Sequence, residues 1–171
     1  MANSLKSTAL IDLDRELKVT RKVLERIPES HFAYKPHEKS MSLGRLAMHV
    51  ATLPQWMRDT LAADELDLAT VKPPRSEPAS RDDLLQTFDE HVRAVNAALA
   101  SIDDAALSRN WSLRRGDQVL HTAPRLLILR LWCLNHLIHH RAQLCVYLRL
   151  LNLPVPAVYF NSADEPAWTF D

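Results

Sequence analysis

The sequence predicts an all-α protein: a four-helix bundle with long inter-helix connections and an extended C-terminal tail. Three observations predict it. Only 2 of the 171 residues are glycine, and the 10 prolines fall mostly between apolar-periodic segments. Apolar residues in the long segments recur at spacings of three and four, with few strand-like alternations. The stretch from Leu126 to Leu153 holds neither Gly nor Pro. A chain of this length forms one domain, residues 1–171, and can bury a sizeable core.

Helix one is expected from about Leu5 to Ile27, with Leu10, Leu13, Leu17, Leu24 and Ile27 as its core stripe and Pro28 as its stop. A loop follows to Met41, carrying Tyr34, Pro36 and two solvated histidines, His31 and His37. Helix two starts near Ser42, a good N-cap residue, and reaches about Ala63. Its inward face holds Leu46, His49, Leu53, Trp56 and Met57. Pro54 cannot donate to the carbonyl of Val50 and is expected to bend the helix just past His49.

Asp64 to Ala79, with Pro73, Pro74 and Pro78, reads as a connection crossing the end or side of the bundle. Helix three begins after Ser80, which with Asp83 resembles a capping box. Leu84, Leu85, Phe88, Val92, Val95 and Leu99 make its stripe. His91 borders that stripe, as a boundary residue or, alternatively, a further ligand. Ser101 to Ala123 is a second long connection, and Pro124 opens a final helix that runs to about Asn152. Beyond it, Pro154-Val155-Pro156 and the aromatic tail through Tyr159, Asp164 and Trp168 are expected to be extended and to pack over one end of the bundle.

Charge and composition exclude several function classes. Twenty-one basic residues balance 21 acidic ones with no basic run, so nucleic-acid binding has no electrostatic footprint. Arg130 and Arg141 interrupt the most apolar helix, which argues against a membrane span. Met1-Ala2-Asn3-Ser4 lacks a signal-peptide pattern. Cys133 and Cys145 lie on one predicted helix, roughly 18 Å apart at 1.5 Å per residue, too far for a disulfide. A reduced, cytoplasmic protein is the expectation.

The chemistry concentrates in the last helix. His136 and His140 stand four apart, so both rings share one helix face. That face also carries Leu129, Trp132, Cys133, Gln143 and Tyr147, so the histidines point where the apolar residues point. Two imidazoles so placed can share a metal ion; on this stretch alone, packed core histidines remain the alternative. A second apolar row, Leu127, Leu131, Leu134, Ile138, Arg141 and Cys145, is heptad-like. It reads as a homodimer interface or as a face covered by other parts of the chain.

The segment Asn135-His136-Leu137-Ile138-His139-His140-Arg141, with His49 in helix two, resembles the DinB/YfiT-like superfamily of metal-binding four-helix bundles. The likeness extends through Tyr34-Lys35-Pro36, Met41-Ser42-Leu43-Gly44, Trp111-Ser112-Leu113-Arg114 and Asp117-Gln118-Val119-Leu120. It continues in Val146-Tyr147-Leu148-Arg149-Leu150, Pro154-Val155-Pro156 and Ser162-Ala163-Asp164-Glu165. The resemblance implies a divalent metal held by one histidine of helix two and two of the last helix: His49, His136 and His140. Ala142 stands where relatives commonly have Gly, and Phe160-Asn161 where they have Gly-Pro; neither touches a proposed ligand. Activities in the superfamily include thiol-dependent transferases and an isomerase.

Three neutral imidazoles leave coordination positions open, as sites that do chemistry require. No Asp or Glu occurs from Pro124 through Pro154 or from Ser42 to Met57, so the ion keeps its full charge. Such an ion acidifies bound water and favours an anionic thiolate. The helical peptidase motif needs Glu after its first histidine, and here Leu137 stands there. His139, Gln143, Tyr147 and Trp56 are the pocket or ligand-orienting candidates. The expectation is a metalloenzyme binding zinc or nickel, a transferase or hydrolase acting on a small molecule, with a low-molecular-weight thiol as possible partner. The alternatives are a non-catalytic metal or small-ligand binding module and a dimeric scaffold.

Overall fold

The computed structural model describes residues 5–72 and 76–166. Its long helices are α2 (Leu13–Glu25), α3 (Leu43–Ala62), α4 (Arg81–Ser101) and α7 (Asn135–Leu150). Shorter helices are α1 (Leu5–Ala9), α5 (Asp104–Ser108) and α6 (Arg125–Ile128). α3 packs on both α4 and α7, and α2 on α4 and α7, around a core that includes Leu17, Leu24, Leu46, Leu53, Phe88 and Leu144.

The N-caps follow the sequence. The Ser42 hydroxyl accepts from the Arg45 amide, 3.1 Å away. Ser80 accepts from the Asp83 amide at 3.0 Å, while the Asp83 carboxylate takes the Ala79 amide at 2.7 Å. α3 runs unbroken through Pro54. Helix one is not one rod: the chain turns at Leu10–Asp12 between α1 and α2. The turn carries α1 towards α4 and α5, where Lys6 Nζ donates to the Leu99 carbonyl (2.6 Å) and the Leu5 amide to Asp104 (2.9 Å).

The all-α expectation needs a correction. The two stretches read as connections contribute a three-stranded sheet of β1 (Glu65–Asp67), β2 (Asn110–Arg115) and β3 (Gln118–Pro124). β1 runs parallel to β2, and β2 antiparallel to β3. The physical reason lies in residues 110–124. Arg115 pairs with Gln118, which leaves Gly116-Asp117 as a two-residue hairpin loop, and Gly116 takes the positive φ of 57° that such loops demand. The Asp67 carboxylate locks strand to loop by accepting from the Ala69 and Gly116 amides, 2.8 and 2.9 Å away. Both bonds favour its charged form and hold its pKa below the usual carboxylate range.

The final helix is continuous from α6 to α7 but contains a π-helical segment, Leu129–Leu134. Its wider turn breaks the heptad phase of the second apolar row. Leu127 and Leu131 are each 46% exposed, whereas Leu134 and Arg141 are buried. The row is therefore not one continuously exposed stripe. Arg141 instead meets Glu16 of α2 at 2.6 Å, with both side chains buried.

The tail is non-helical through Pro166 and bonds to the long helices. The Tyr159 hydroxyl meets Arg141 and Glu16, Asp164 pairs with Arg149, and Glu165 with Arg26. Pro73, Pro74 and Trp168 lie outside the described residues.

Candidate metal centre

The Ser42 cap sets where α3 begins, and two turns later it presents His49 towards α7. The π segment delivers the chain into α7 so that His136 and His140 face α3. His136 Nε2 lies 2.8 Å from His140 Nε2 and 3.4 Å from His49 Nε2. One ligand atom from each ring lies within 4.8 Å of the other two, and such a group could hold a metal ion. Among the described residues no Asp, Glu or Cys joins the cluster.

The far sides of the rings are already engaged. Gln143 Oε1 lies 2.7 Å from His140 Nδ1. A carbonyl oxygen only accepts, so the proton sits on Nδ1 and His140 Nε2 carries a bare lone pair. The same amide donates through Nε2 to His139 Nε2, 3.1 Å away. The His136 ring hydrogen-bonds the Trp132 carbonyl. With Nε2 turned to the other imidazoles, that bond falls to Nδ1. Two lone pairs therefore face each other across 2.8 Å, an arrangement that a cation between them relieves.

A proton is the poorer candidate for that cation. Burial above all, then the neighbouring His140 and His136 rings, then Arg45, lower the pKa of His49 to about 4. Burial leads in lowering His136 and His140 as well, against the opposing hydrogen bonds from Trp132 and Gln143. The donor set fits a divalent ion better. Tetrahedral zinc with Zn–N near 2.0–2.1 Å sets nitrogens about 3.4 Å apart. The His49–His136 spacing matches this, and the His136–His140 pair needs to open by only about half an ångström.

The same shifts predict how stability depends on pH. Between about pH 6.5 and 4 the unfolded chain binds protons that the folded His49 refuses. The stabilisation is complete above the unfolded value of 6.5 and is lost as pH falls towards 4. With solvent screening of this half-buried ring, metal-free protein should lose about 1–2 kcal/mol over this window. Metal occupancy should fall there too, because protons compete for the same nitrogens. Urea melts at pH 7.5 and 5.0, with and without chelator, check both; a flat profile would contradict the assignment.

A pocket of about 540 Å³ opens beside the cluster, lined by His49, Trp56, Leu113, Leu131, Trp132, Asn135, His136 and His139. A second, of about 390 Å³, lies against His140 with Gln143, Tyr147, Lys39 and Ser40 in its wall. Trp56 and His139 thus line one pocket, and Gln143 orients His140. Tyr147 shares the second pocket, but its hydroxyl donates to the Met41 carbonyl at 3.2 Å and so ties α7 to the loop before α3. His91 lies away from the cluster, its Nδ1 3.2 Å from the Ala51 carbonyl, where it links α4 to α3. Sequence reasoning missed Leu113, Leu131 and Asn135. Leu113 arrives on the unforeseen sheet, and the π segment brings Leu131 from the opposite row to the histidine side.

The sequence profile of the DinB family matches residues 1–169. The chain belongs to the DinB family. A DinB-like protein from Bacillus cereus shares the fold, with a TM-score of 0.70 at 21% identity over 93% of this chain and 100% of that one. The DinB-like protein YjoA of Bacillus subtilis superposes with a TM-score of 0.68 at 24% identity, over 85% of this chain and 95% of that one. In sequence, YjoA, described as uncharacterized, is 28% identical over 131 residues, 77% of this chain and 80% of its own length. The membership agrees with a three-histidine cluster built from α3 and α7. Among the described residues no helix of this DinB protein is long and apolar enough to cross a membrane.

Proposed function

We propose that this DinB-family protein binds one divalent ion through His49, His136 and His140 and uses its open side to transform a small molecule. The reaction is thiol-dependent transfer or metal-dependent hydrolysis. One observation carries the reading: three imidazoles held neutral, with no carboxylate among them, stand together where two of them, His49 and His136, border an open pocket. When bound, a divalent ion supplies Lewis acidity and charge that stabilises an anionic nucleophile. Imidazole ligands suit zinc and nickel alike.

The chain's own groups divide the remaining work. Gln143 and the Trp132 carbonyl fix the orientations of the His140 and His136 rings. Neither cysteine supplies the nucleophile. Cys133 is 1% exposed, and burial pushes its thiol up to about 12 despite the Thr60 hydrogen bond. Burial also raises Cys145, against the pull of Arg141. A thiol partner therefore comes from solution.

Zinc- and nickel-loaded protein, incubated with cysteine or glutathione and 1-chloro-2,4-dinitrobenzene, tests the transferase arm; a panel of small esters and amides tests the hydrolase arm. Turnover should vanish with chelator and return when metal is added back. Inactivity with either metal, alongside a chelator-sensitive melting temperature, would favour the non-catalytic binding module.

A further inference from the structure

We propose that the larger pocket is a binding site for an uncharged aromatic small molecule, seated between Trp56 and Trp132 beside the histidine cluster. As a substrate class, this rests on the metal reading above; as a binding site, it stands alone.

Its walls come from three places in the chain: Trp56 on α3, Leu113 on β2, and Leu131 and Trp132 on the π segment. Asn135 and His139 are its polar members apart from the ligand cluster, and among the described residues no Asp, Glu, Lys or Arg lines it. A cation buried here would be left unpaired, and so would an anion seated away from the histidine cluster, whereas an uncharged ring meets no such penalty. The cleft on the other side of the cluster differs, because Lys39 stands in its wall.

Leu131 is 46% and Trp132 38% exposed, although both share the pocket wall with Trp56 and Leu113. Apolar surface left in water beside a formed cavity of about 540 Å³ is the usual mark of a ligand site. Trp132 is also held in place. The His121 ring of β3 lies against it, centroids 4.5 Å apart and planes 30° from parallel. An indole fixed in this way gives a flat ligand a preformed stacking surface at little entropic cost. Asn135 and His139 offer hydrogen bonds to one polar substituent.

Calorimetric titration of zinc-loaded protein with naphthalene-1-methanol tests the assignment, with N-acetylglucosamine as an uncharged polar molecule of similar size. The expected result is one saturable naphthyl site per chain and no measurable sugar binding. Trp132→Ala should weaken naphthyl binding about tenfold. Leu131→Asp, at a half-exposed position that tolerates charge for folding, should weaken it at least as much. Melting temperature and zinc content are measured on the same samples. Full zinc content without naphthyl binding, or with binding that both variants leave unchanged, overturns the pocket assignment and leaves the metal reading standing. Tryptophan-dependent naphthyl binding in protein that takes up no zinc does the reverse.

Discussion

His49→Ala is expected to abolish stoichiometric metal binding while leaving the fold intact. The residue is half-buried, and its ring makes its closest contacts with the other two imidazoles. Structural zinc sites bind with about 10–16 kcal/mol in total, or roughly 3 kcal/mol for each of four ligands. Losing one of three ligands should therefore weaken affinity by a hundredfold or more. The consequence for stability is large. Metal at about a thousand times its dissociation constant adds about 4 kcal/mol, or roughly 8–16 °C in melting temperature for a domain of this size. Wild-type protein should show that rise with zinc and lose it with chelator; His49→Ala should show neither. Gln143→Ala removes an orienting bond and not a ligand, so it should cost about 10–100-fold and keep a reduced response. Elemental analysis of protein purified without a histidine tag, combined with thermal melts, measures both.

Arg141→Met should strongly destabilise the fold. Arg141 Nη1 lies 2.6 Å from Glu16 Oε2, and the two side chains are 1% and 2% exposed. The guanidinium also bonds the Glu16 carbonyl (3.2 Å) and the Tyr159 hydroxyl (2.9 Å). Removing the cation strands a buried carboxylate, at a cost of about 3–5 kcal/mol or some 10 °C. Glu16→Leu combined with Arg141→Met should recover most of the loss, because two apolar groups need no partner. The change should also loosen the tail, since Tyr159 bonds both members of the pair. Proteolysis near residue 159 in the single variant, set beside urea melts of all three proteins, checks this. A loss below about 1 kcal/mol would mean that the pair is not buried as described.

Much of this structure was legible in the chain because helices advertise themselves. The caps at Ser42 and Ser80, the leucine stripes and the four-residue spacing of His136 and His140 each rest on local periodicity. His49 was legible for the same reason, as a polar residue in phase with Leu46, Leu53 and Met57. What stayed hidden depended on register or on distant partners. β1 is three residues long, and the β2–β3 hairpin sits in a polar stretch whose Gly116-Asp117 signal is weak beside two long helical patterns. The π segment has no sequence signature, yet it brings Leu131, which a regular helix assigns to the opposite row, into the pocket beside Trp132 and His136. Arg141 looked like one charge in an apolar surface row, because its partner lies 125 residues earlier. The clue was Glu16, which falls on the same helical face as Leu13, Leu17 and Thr20.

The proposed function requires His49, His136 and His140 to converge on one ion. X-ray absorption spectroscopy of zinc-loaded protein addresses that most directly. The prediction is one zinc per chain with three imidazole nitrogens at about 2.0–2.1 Å and lighter atoms completing the shell. In His49→Ala the imidazole count should fall to two or the zinc should be lost. A wild-type spectrum without imidazole scattering, or one identical to that of His49→Ala, would contradict it.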